Sequence, residues 1–63
     1  MDWIKLGKKI KAAREAKGLS QKDIARLLGV SDAFISQLEN GKKKASVDNV
    51  IKLSKVLDIN VLG

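Results

Sequence analysis

The sequence contains no cysteine, no histidine and no proline. Lack of cysteine rules out disulfides, and with histidine also missing the thiolate and imidazole ligands of a structural zinc site are gone. The same two absences remove the commonest soft nucleophile and the commonest general base. A cysteine-free chain fits a reducing cytoplasm. No apolar run approaches the ~18 residues that span a bilayer, and Met1-Asp2-Trp3-Ile4-Lys5 lacks the charged-then-apolar order of a signal peptide. Without proline, helix punctuation falls to five glycines and a set of Ser and Asp caps. Sixty-three residues suffice for one domain, residues 1–63. A domain of that size buries only ~60% of its unfolded surface. It has no deep interior for a large cofactor, so no cofactor, metal or small-molecule ligand is expected, and an enclosed enzyme site is not plausible.

What the chain does have is positive charge. Thirteen Lys and Arg oppose seven Asp and Glu, for a net charge of +6. Such a field attracts polyanions, and both nucleic acid and anionic membrane qualify. The 44% apolar content marks a folded chain despite 32% charged residues. Apolar residues recur at helical spacing in four segments, and no strand alternation appears. The first runs from Asp2, a potential cap, to Lys17, with Trp3, Leu6, Ile10 and Ala13 on one face and Gly18 as the stop. Ser20 caps a second, short segment whose stripe is Ile24, Leu27 and Leu28, ended by Gly29. Ser31 caps a third, from Asp32 to about Asn40, with Ile35 and Leu38 inward, ended by Gly41. After Lys42-Lys43-Lys44, Ser46 caps a fourth, with Val47, Val50, Leu53, Ser54 and Leu57 inward. Asp58 ends it, since Asp tolerates the left-handed turn. Ile59, Val61 and Leu62 form a short apolar tail. The apolar stripes are thus consumed by core packing, which leaves no amphipathic face for a membrane.

Two short helices joined by a three- to four-residue turn containing glycine form the helix-turn-helix unit. Here Ala25 lies where the helices cross, Gly29 gives the turn its backbone freedom and Val30 plugs it. Ile35 and Leu38 anchor the second helix, at ~1.5–3 kcal/mol per buried side chain. With those faces fixed, Asp32, Ala33, Phe34, Ser36 and Gln37 are expected outside, where a DNA groove would meet them.

The run Ser20-Gln21-Lys22-Asp23-Ile24-Ala25-Arg26-Leu27-Leu28-Gly29-Val30-Ser31, followed by Ile35-Ser36-Gln37-Leu38-Glu39-Asn40-Gly41-Lys42, resembles the lambda-repressor and Cro-like, or Xre, family. The resemblance covers Leu6 to Ile59, with the motif residues in order and at the family's spacing. It implies an all-α, lambda-repressor-like bundle of four to five short helices, the second and third forming the helix-turn-helix. It also implies a transcriptional repressor binding double-stranded DNA, in the family usually as a dimer on a palindromic operator, and hence a cytoplasmic, nucleoid-associated protein. Carried over by residue, Asp32, Ala33, Phe34 and Gln37 face base edges. Gln21 holds a phosphate and braces the reading helix, Ser36 and Asn40 lie near the DNA backbone, and Lys42, Lys43 and Lys44 meet flanking phosphates. Arg14 and Glu39 match the family's buried ion pair.

Three departures from the family pattern stand out. Asp32 is acidic where an amide or a basic residue is usual; it repels phosphate but can accept from cytosine N4. Asp58 replaces the usual helix-ending glycine. The chain stops at Gly63, where a fifth helix begins in the family, so that helix is expected to be truncated or absent and the homodimer is in question. Asp32 and the missing helix favour a competing reading, a protein-interaction module that kept the fold without specific DNA reading.

Overall fold

The computed structural model describes residues 2–60, and within them the architecture is all-helical. Four helices follow in order: α1 (Trp3–Ala16), α2 (Gln21–Leu28), α3 (Asp32–Glu39) and α4 (Val47–Leu57). Each starts where a short polar side chain accepts from a backbone N–H of the first turn: Asp2 from Lys5, Ser20 from Asp23, Ser31 from Phe34 and Ser46 from Asn49. These bonds satisfy donors that have no partner within the helix. At α2 the bond is reciprocal, because Asp23 Oδ2 also accepts from the Ser20 N–H at 2.9 Å.

The helices also end alike. A residue two or three beyond the helix end returns its N–H to a carbonyl five positions back: Leu19 to Arg14, Val30 to Ala25, Lys42 to Gln37 and Ile59 to Ser54. This closure passes through a left-handed residue. Three of the four are glycines, and the fourth is Asp58, at φ 55°. Leu19, Val30 and Ile59, which carry the returning N–H at three of the ends, pack against the core. The chain therefore turns a corner and seals the core with the same three residues.

Leu6 and Ile10 of α1, Ile24, Ala25 and Leu28 of α2, Ile35 and Leu38 of α3, and Leu53 and Leu57 of α4 form the core, with Val50 buried beside them. Two expected core residues lie elsewhere. Leu27 is 57% exposed, and Val47 is 75% exposed. On a 3.6-residue turn, Leu27 sits ~100° from the centre of the stripe formed by Ile24, Ala25 and Leu28, and Val47 ~90° from that of Val50, Leu53 and Leu57. Apolar identity placed them on the stripe; helix rotation takes them off it. Ser54, expected inward, is half-buried, and its hydroxyl donates to the Ile51 carbonyl. The Lys9 ammonium donates to the Asn60 carbonyl at 2.9 Å and ties α1 to the segment after α4. Val61 and Leu62 of the apolar tail, and the place for a fifth helix, lie outside the described residues.

Candidate nucleic-acid interface

The turn between α2 and α3 is short because Gly29, at φ 73°, closes α2 and Ser31 at once caps α3. A Cβ on Gly29 meets nothing within 4 Å, so glycine is there for the backbone angle and not for space. Ala25 is buried in α2, and Val30, half-buried, packs on the core from within the turn. These residues hold α3 against the bundle by one face: Ile35, Leu38 and Glu39 are buried.

The remaining faces of α3 carry the residues expected from the sequence to meet bases. Asp32, Ala33 and Gln37 are exposed, as is Asn40 just beyond the helix. Ser36 is half-buried. Phe34, expected outside, is half-buried and packs against the core, so only part of its side chain is exposed. The Asp32 carboxylate accepts from the neighbouring Ala33 N–H at 3.2 Å. Asn40 Nδ2 donates to the Ser36 carbonyl at 3.0 Å, which orients the amide along the helix end. Lys42, Lys43 and Lys44 follow directly, all exposed.

Behind this face sits a buried polar cluster. Arg14 Nε donates to Glu39 Oε2 at 2.7 Å and Arg14 Nη2 to Glu39 Oε1 at 3.2 Å, a two-pronged pair between α1 and α3. The two side chains are only 10% and 2% exposed. Arg14 Nη1 donates to the Leu19 carbonyl at 2.8 Å, and Gln21 Nε2 donates to Glu39 Oε1 at 3.0 Å. No buried side-chain nitrogen or oxygen among the described residues lacks a partner. The hydrogen bond to Glu39 raises the Arg14 pKa above its ordinary value; burial pulls the other way and loses. Gln21 thus touches α3 through Glu39 while standing at the first position of α2, where a helix presents its positive end. The Leu19 carbonyl was not anticipated from the sequence, because a backbone acceptor leaves no residue-type signal.

Gly7 was also missed. It is buried in the interior of α1, and a Cβ there would lie 2.5 Å from the carbonyl oxygens of both Leu38 and Glu39. A glycine inside a helix costs ~1 kcal/mol relative to alanine, and that cost was the available signal of a close approach.

Among the described residues no group of three His, Cys, Asp or Glu side chains converges as a metal site, and no helix is long and apolar enough to cross a membrane. Two short helices at a tight turn, the second pinned by its back and presenting polar side chains beside three lysines, define a helix-turn-helix DNA-binding module. The helix-turn-helix family model matches residues 10–62, and the chain belongs to that family, whose Xre and lambda-repressor-like members are DNA-binding transcriptional regulators. The chain is 38% identical over 64 residues to the ImmF control region 10 kDa protein of Bacillus phage phi105, covering 98% of this chain and 71% of the phage protein. It is 30% identical over 57 residues to the HTH-type transcriptional regulator ImmR of Bacillus subtilis, matching 90% of this chain but 45% of ImmR. Its fold superposes on the restriction-modification controller protein C.AhdI of Aeromonas hydrophila with a TM-score of 0.85 at 37% identity, over 95% of this chain and 91% of that one. Against several other regulators the chain spans well under half of the relative's length.

Proposed function

We propose that residues 1–63 form one DNA-binding domain that represses transcription by reading an operator in the major groove with α3. The observation that carries this reading is the division of α3: Ile35, Leu38 and Glu39 hold it to the core while Asp32, Ala33 and Gln37 project outward. Asp32, Ala33, Gln37 and the exposed part of Phe34 face base edges. Gln21, Ser36, Asn40, Lys42, Lys43 and Lys44 take the phosphates on either side and set the register. Gln21 suits this double duty, since its amide already bonds Glu39 and so links a phosphate contact to the position of α3. The +6 net charge supplies long-range attraction to the duplex. The protein acts in the cytoplasm at the nucleoid, as a homodimer on a palindromic operator.

The test is selection of bound duplexes from a random DNA pool, read by sequencing. A palindromic consensus with half-sites about one helical turn (~10 bp) apart is the expected result. A single asymmetric site would retain the reader and reject the dimer. Equal recovery of all sequences would reject α3 as a reader of bases.

A further inference from the structure

Gly7 has no local reason to be in α1, since glycine is a poor residue for a helix interior and is not at a turn there. Its surroundings supply one. A Cβ at Gly7 would lie 2.5 Å from Leu38 O, 2.5 Å from Glu39 O and 2.8 Å from Glu39 C. All three are backbone atoms of α3, which cannot swing aside as a side chain can. One turn earlier on the same face of α1, Ile4 meets the other end of this contact: a Cβ at Gly41 would lie 2.7 Å from Ile4 Cγ1 and 2.9 Å from Ile4 Cα. Two turns further on, Arg14 holds Glu39 through Nε at 2.7 Å. Ile4, Gly7 and Arg14 therefore lie along one stripe of α1 and grip the C-terminal end of α3 at Gly41, at Leu38–Glu39 and at the Glu39 carboxylate.

We propose that Gly7 is a positioning residue for base discrimination: the bare backbone at this point sets how deeply α3 seats on α1, and so where its outer face stands relative to the bases. This inference rests on the reading of α3 as the recognition helix. Ordinary contact for a Cβ begins near 3.4 Å. A methyl at Gly7 must therefore lift α3 by roughly 1 Å, beyond the ~0.5 Å tolerance of a preorganised binding constellation. Phosphate contacts made by lysines on flexible stems follow such a shift; hydrogen bonds to base edges do not.

The experiment first selects the operator with the unmutated protein, then compares Gly7→Ala with Val50→Ala, a core change on α4 outside the proposed interface. Affinities for the operator and for a random duplex are measured at a temperature where circular dichroism shows each variant folded. For Gly7→Ala the expected result is a tenfold or greater fall in the operator-to-random ratio, with random-duplex affinity and its salt slope unchanged; Val50→Ala keeps the ratio. A folded Gly7→Ala that keeps the ratio within twofold overturns the proposal, as does a parallel loss on both duplexes. Should Gly7→Ala not fold, Ile4→Ala loosens the same seat without a clash. It is expected to lower the ratio at least threefold, and an unchanged ratio overturns the proposal. Failure of the unmutated protein to select any operator is a separate result: it removes the recognition-helix reading itself, and this inference with it.

Discussion

Glu39 of α3 ties together three helices, accepting from Arg14 of α1 twice and from Gln21 of α2 once while its side chain is 2% exposed. Desolvating two charges offsets much of their attraction, so the pair is weak evidence of net stability. Breaking it is another matter, because the surviving partner stays buried. Glu39→Gln is expected to lower unfolding free energy by ~3–5 kcal/mol, read by urea denaturation. A loss below ~1 kcal/mol would assign the pair the weight of a surface contact. A second pair of substitutions separates reading from holding. Gln37→Ala is expected to relax preference at one base pair by ~1–3 kcal/mol. Lys43→Ala is expected to weaken all duplexes alike and reduce the salt slope by ~1. Uniform loss for both, in competition binding against operator variants, would misplace the reading face.

At the scale of the element, each helix is too short to persist alone, so the caps and closures fix where each begins and ends. The α2–α3 turn is the sensitive one. Gly29 stands at φ 73° in open space, so Gly29→Ala introduces backbone strain without a clash. The expected cost is ~1–2 kcal/mol, seen as a lower thermal midpoint with operator preference retained. A changed consensus would mean that the turn itself had moved. At α2 the Ser20 backbone N–H, then its hydroxyl, hold the Asp23 carboxyl below its ordinary pKa of 3.8, with Arg26 adding to the effect. A depressed folded-state pKa gives stability present above the unfolded value and lost as pH falls through the folded one.

For the molecule as a whole this yields a pH profile. With no histidine or cysteine, no side chain has an ordinary pKa between about 5 and 9. Thermal stability is therefore expected to be flat across that window and to fall only in acid, below pH ~4. The raised Arg14 pKa acts at the other extreme, since its contribution is complete below the ordinary arginine value and is lost only as pH rises through the raised one. DNA affinity should be nearly independent of pH over the same range but strongly dependent on salt, falling by ~0.9 log units per tenfold increase in salt for each phosphate neutralised. A transition near neutral pH in a thermal melt would contradict this.

Much of this molecule follows from local rules. Ser20, Ser31 and Ser46 start helices because their oxygens satisfy orphan N–H groups, and Gly18, Gly29 and Gly41 end them because a left-handed residue lets the chain reverse. Those signals, with apolar spacing, determined from sequence alone the four helices, the helix-turn-helix and most of the core. Tertiary packing decided the rest. Leu27 and Val47 are as apolar as their buried neighbours, and only the rotation of each helix against the bundle turns them to the surface. Phe34 is drawn partly inward by the core beneath α3. The seat of α3 on Ile4 and Gly7 of α1 depends on contacts between residues more than thirty positions apart. Local sequence specifies hydrogen bonds within one turn of backbone, whereas the distance between two helices is set by whichever atoms meet when both are already formed.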